Sequence, residues 1–176
     1  MSGTSDIYGS DFTDDDNPDL NPELQLLSAL LWAPPRDAAT AAGMLEEADF
    51  YRPLHGQMFS IIAGLACAGS DHRAPSVLAH LSAGEQIAGD DRRSLIRLLT
   101  RAATGGADPL HLSQLVYVIA SEAHRRAYYS AASQLRQAAE SAAEAELFPL
   151  LLTLGRAHRS HENRMKRIRQ WAGRNQ

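Results

Sequence analysis

Cysteine and lysine are almost absent from this chain. Cys67 and Lys166 are single copies, whereas arginine occurs 16 times. A lone cysteine excludes a disulfide framework. Val and Ile together supply only ten of the 176 residues, which argues against a β-rich fold, because strands draw on β-branched and aromatic side chains. No stretch reaches the roughly 18 consecutive apolar residues of a membrane span. The start, MSGTSDIYGSDFTDDD, lacks the basic and apolar regions of a signal peptide. These absences predict a cytoplasmic protein with no membrane partner.

Chemical signatures are missing as well. Lys166 has no glycine loop before it, so there is no G-x-x-x-x-G-K-[ST] phosphate loop, and G-x-G-x-x-G, G-x-S-x-G and H-E-x-x-H do not occur. Cys67 lies in a Leu-rich helical pattern and reads as a small buried hydrophobe. The expectation is no catalytic residue, no cofactor and no metal.

What is present is helical. The chain holds 29 Ala and 23 Leu, both strong helix formers, and an all-α fold follows. Asn21-Pro22-Glu23 is a helix start with a cap, a proline at the first position and an acid behind it. Leu24, Leu26, Leu27, Leu30 and Leu31 make that helix apolar over most of its surface, so it belongs deep in the core. Pro34-Pro35 ends it. A short Ala-rich helix spans Asp37 to Leu45, and a third, entered through Asp49-Phe50-Tyr51-Arg52-Pro53, places Leu54, Met58, Ile61, Ile62 and Leu65 on one face before Gly69. The fourth opens at Pro75 with Val77, Leu78 and Leu81 inward. The fifth begins near Asp90 or Asp91, with Leu95, Leu98, Leu99 and Ala102 in a stripe, and Gly105-Gly106 break it.

Asp108-Pro109 then opens the longest pattern, running to about Glu140, or roughly 48 Å of helix. Tyr128, Ala132, Leu135, Ala139 and Ala142 recur at steps of four and three. The last helix repeats the rhythm with Leu147, Leu151, Leu154, His158, His161, Met165, Ile168 and Ala172, a heptad seam of the coiled-coil kind. The turn between them falls in 140–148, where Ser141 and Glu144 offer a capping box. The organisation predicted is a head at 1–19, a globule of about five helices at 20–107, and an antiparallel hairpin at 108–173 packed with the globule as one domain.

Charge is segregated. Residues 1–20 hold six Asp and no basic residue, and residues 156–176 hold six Arg and one Lys against one Glu. The head is too polar to offset its ordering entropy and reads as disordered. It serves either as a solubilising leader or as an acidic arm that shields the basic end or mimics nucleic acid. Arg164, Lys166, Arg167 and Arg169 form the candidate patch for nucleic acid or an acidic partner; a solvated helix face is the alternative. His158 and His161 supply half of a zinc site, a pH-sensitive layer or plain seam polarity. His55 reads as a core or capping histidine.

The run Asp49-Phe50-Tyr51-Arg52-Pro53-Leu54-His55-Gly56-Gln57-Met58-Phe59 resembles the N-terminal domain of replicative DNA helicases of the DnaB family, as does the opening helix Glu23-Leu24-Gln25-Leu26-Leu27-Ser28-Ala29-Leu30-Leu31. The stretch from Arg93 to Ala123-His124-Arg125-Arg126 follows the same pattern, so the likeness covers about residues 20–172. The C-terminal domain of primase, which has a similar fold, is the alternative relative. The resemblance implies a helical globule with an extended hairpin, doing no chemistry, pairing with copies of itself in a helicase collar and contacting primase. The helicase ATPase domain has no counterpart in these 176 residues. The Ala142-Ala143-Glu144-Ala145 tip and the two seam histidines also depart from the family pattern.

The function expected is therefore a stand-alone interaction module of DNA replication. It self-associates as a dimer or higher oligomer through Tyr128, Ala132, Leu135, Leu147, Leu151, Leu154, His158, His161, Met165 and Ile168, and binds a helicase, primase or loader. The alternative is a nucleic-acid-binding accessory protein that uses the basic last helix.

Overall fold

The computed structural model describes residues 21–84 and 89–174. The acidic head lies outside the described residues. Among those described, all regular structure is helical: α1 (Pro22–Trp32), α2 (Pro35–Ala42), α3 (Pro53–Cys67), α4 (Ala74–Ala83), α5 (Gly89–Thr104), α6 (Leu112–Ser141) and α7 (Glu144–Ala172). One-turn 3-10 segments at Glu47–Asp49 and Pro109–His111 lead into α3 and α6.

Local chemistry explains the boundaries. The Asn21 side chain accepts from the Glu23 and Leu24 N–H groups, with Pro22 at the position where a missing N–H costs nothing. Asp108 caps the 3-10 turn before α6 in the same way, accepting from the Leu110 N–H. At the end of α3, Gly69 adopts φ +70°, and the Ser70 N–H reaches back to Leu65 O. That left-handed step is cheap only for glycine. The hairpin turn is Ala142–Ala143. No capping box forms there: Ser141 Oγ donates back to Gln137 O, and Ala143 caps α7 without a side-chain bond. The helix begins five residues ahead of Pro149, which therefore sits inside it.

Packing follows the apolar pattern. α1 runs through the centre, with Leu24, Leu26, Leu27, Leu30 and Leu31 all buried, and contacts α3, α5 and α6. Leu95, Leu98, Leu99 and Ala102 of α5 face inward as spaced, while Leu78 of α4 turns to solvent and leaves Val77 and Leu81 to anchor that helix. Cys67 is exposed, not buried. It ends α3 on the solvent side, directly after Ala66, the last residue of that helix in the core. The first three turns of α6 (Leu112, Leu115, Val116, Ile119, Ala120) and the end of α7 (Met165, Ile168, Trp171) join the same hydrophobic core. Beyond them α6 and α7 continue as an antiparallel pair, long enough to project about 20–25 Å past the globule at 1.5 Å per residue.

Candidate functional site

The structure converges on the Asp49–His55 segment. Glu23, in the first turn of an otherwise apolar helix, is buried, and its carboxylate accepts from the Tyr51 N–H, from the Arg52 N–H at 3.4 Å and from His55 Nδ1 at 2.8 Å. Burial pushes the Glu23 carboxyl up, but the His55 hydrogen bond, the Tyr51 N–H, the charge of His55 and the Arg52 N–H together hold it below its ordinary value. Four residues ahead of α3, the Asp49 carboxylate takes a bidentate pair from Arg164, at 2.6 and 2.8 Å, and also accepts from the Glu46 N–H at 2.7 Å. The Asp49 carbonyl accepts from Arg126, whose guanidinium lies 5.9 Å from the Tyr51 ring centre. One short segment thus ties α1, α3, α6 and α7 together.

Gly56 explains why the turn into α3 fits so tightly. A Cβ at that position would stand 2.6 Å from Glu47 O and 2.9 Å from Glu47 Cγ, so any side chain must displace the 3-10 turn that carries Asp49.

Beside this hub lies a cleft of about 340 Å³ whose walls include Asn21, Glu23, Tyr51, Arg52, Glu122 and Arg126. Its mouth presents the exposed Tyr51 ring. Further along α6 a second groove, about 500 Å³ and chiefly apolar, is walled by Ser121, His124, Arg125, Tyr128, Tyr129 and Ala132.

Where the hairpin leaves the globule, three histidines form a layer. Tyr128 stacks on His158 with ring centres 4.2 Å apart and meets His124 edge-on at 5.1 Å; His161 lies 6.4–6.5 Å from both other histidines. Nδ1 of His124 and of His158 are buried without a hydrogen-bond partner, and His124 Nε2 stands 3.7 Å from Glu162. Arg164 donates to His161 Nδ1 at 3.3 Å, which requires that nitrogen to be unprotonated. Desolvation, then Arg164, then the neighbouring histidines hold His161 below its ordinary value, against the opposing pull of Asp49. Among the described residues no group of three or more His, Cys, Asp and Glu is arranged to hold a metal ion.

The layer predicts an acid-sensitive fold. A histidine whose folded-state pKa is depressed gives its full contribution above the unfolded value of 6.5 and loses it as pH falls through that value toward the folded one. Denaturation midpoints should decline between about pH 7.5 and 5.5, and His161→Gln should flatten the decline. Parallel pH profiles for the two chains would refute it.

The predicted seam residues separate into groups. Met165 and Ile168 are in the globule core, and His158 and His161 face α6, so these four are occupied within the chain. Tyr128, Ala132 and Leu151 are exposed, and Leu135, Leu147 and Leu154 are half-buried. The basic cluster also divides. Arg164 points inward, its side chain 11 % exposed and spent on Asp49, and Arg169 leans on Glu162 at 3.4 Å. Lys166 and Arg167 remain exposed, joined on the same outward side by Arg156 and Arg159. The roles of Glu23, Arg126 and His124 were missed by sequence reasoning. For Glu23 the signal available in the sequence is an isolated acid at the start of a leucine-rich helix.

No helix of the described residues is long and apolar enough to cross a membrane. No curated protein and no solved structure matches the chain. The motif segment, the buried Glu23–His55 clasp and the start of α6 all fall within residues 15–120, which match the family model for the DnaB-like helicase N-terminal domain. The chain belongs to that family, and so carries a domain of the kind found in replicative helicases.

Proposed function

We propose that this chain is a non-catalytic protein–protein interaction module of DNA replication, which associates with copies of itself through the distal half of the α6–α7 hairpin and docks on a helicase, primase or loader. The observation that carries the reading is the uncovered apolar surface of that half. Tyr128, Tyr129, Phe148, Leu151 and Leu152 are all exposed, and Tyr129 is 72 % exposed. Exposed large apolar groups in such density mark an interaction surface. Two antiparallel helices bury only one stripe each, and a second hairpin laid alongside completes a four-helix arrangement. The four seam residues already engaged within the chain take no part. Light scattering after size exclusion should give a dimer or larger across about 1–100 micromolar, and Tyr129→Glu with Leu151→Glu should yield monomer without loss of helicity. A strict monomer over that range refutes self-association; capture of neither helicase nor primase refutes the partner claim.

A second reading, nucleic-acid binding by α7, draws on the exposed set Arg156, Arg159, Lys166 and Arg167. Its test is an oligonucleotide titration. Binding should weaken steeply with salt and fall with each cation replaced by Ala, and absence of binding at about 50 mM salt removes the reading.

A further inference from the structure

The outward face of α7 is a one-sign surface. At about 100° per residue, Arg156, Arg159, Asn163, Lys166, Arg167 and Gln170 fall within roughly a 100° arc, opposite Met165 and Ile168. The four cations are exposed, and their side chains make no hydrogen bond or ion pair among the described residues. No acid lies on that arc: Glu162 sits at its flank, half-buried against His124 and Arg169. Arg174 extends the positive charge just beyond the helix end.

We propose that the acidic head of this same chain, residues 1–20, occupies this stripe. Charge is the first argument: the head carries six Asp and no cation. Position is the second. The head joins the fold at Asn21, beside Glu23, which holds the Tyr51 N–H; two residues before Tyr51, Asp49 grips Arg164, one turn before Arg167 at the edge of the stripe. The head therefore leaves the fold on the flank where α7 is anchored. Twenty residues span up to about 70 Å, several times the roughly 17 Å from Arg156 to Arg167, so reach is ample, and tethering gives a high effective concentration. An extended polyanion is the poorer match, because residues 21–155 carry ten basic against fourteen acidic side chains and repel it beyond the stripe. The head shields the stripe, and any external anion must displace it.

The test is paramagnetic broadening in the full chain. A nitroxide is placed at Ser10→Cys, with the exposed Cys67 changed to Ser. At about 50 mM NaCl the amides around Arg159 to Arg167 should lose at least about half their intensity. The intensity should return at about 500 mM and in the Arg159→Glu, Lys166→Glu, Arg167→Glu variant. Broadening that is absent from α7, insensitive to salt or charge reversal, or seen only when label and isotope are on different molecules overturns the proposal. So does an oligonucleotide of about 20 residues that shifts the α7 amides of the labelled chain while the broadening persists. Release of the head as the oligonucleotide binds supports it.

Discussion

Replacing Asp49 with Ala should lower the unfolding free energy by about 3–5 kcal/mol, the usual cost of removing one partner of a buried ion pair. In a chain of this size that is a fall in melting temperature of roughly 6–20 °C. The side chains of Asp49 and Arg164 are 4 % and 11 % exposed, and their two bonds are both under 2.9 Å. Without Asp49 the Arg164 guanidinium keeps a neutral acceptor in His161 Nδ1 at 3.3 Å and a 3.4 Å approach to the largely exposed Glu46 carboxylate, the latter worth little in solvent, and the Glu46 N–H loses its acceptor. The double replacement Asp49→Leu, Arg164→Met should recover most of the loss, because no orphaned charge remains. Urea unfolding of the three variants checks both statements. A loss below about 1 kcal/mol for Asp49→Ala, in the range of an exposed pair, would mean that the hairpin is held by its apolar contacts alone.

Sequence periodicity and capping chemistry carried the architecture a long way, because both are local. Asn21 and Pro22 set the start of α1, and its leucines required burial whatever packed on them. The four-three rhythm likewise placed His158 and His161 toward α6, although nothing in spacing foretold that Tyr128 would stack on His158. The hub was illegible for a physical reason. Asp49 and Arg164 are 115 positions apart, and no periodicity encodes a pairing across that separation. Arg164 therefore read as one more cation in a basic run. Only the fold shows that it points inward while Arg156 and Arg159, two turns earlier, share the outer surface with Lys166 and Arg167. Cys67 failed differently: its helix is apolar, but it occupies the final position, where the core has already ended.

The Glu23–His55 clasp gives the second large effect. Glu23→Ala should cost about 3–5 kcal/mol, since the Tyr51 N–H and the buried His55 ring each lose an acceptor and an unsatisfied buried donor costs about 1–3 kcal/mol. Glu23→Gln keeps the volume and one acceptor oxygen and should fall between Ala and the natural residue. The pH dependence separates a charged clasp from a merely well-packed one. The Glu23 carboxyl is held below 4.5, its unfolded value. Its contribution is therefore fully present above 4.5 and is lost as pH falls through the folded value. The natural chain should lose stability in that window and the Gln variant should lose less. The histidine layer acts at higher pH, near and below 6.5, so the two contributions are read from different limbs of one curve. Coincident acid limbs for Glu23 and Gln would show that the ionised carboxylate contributes nothing. A steeper limb for the natural chain gives Glu23 and His55, both within the segment that matches the family, a folding role in joining α1 to α3.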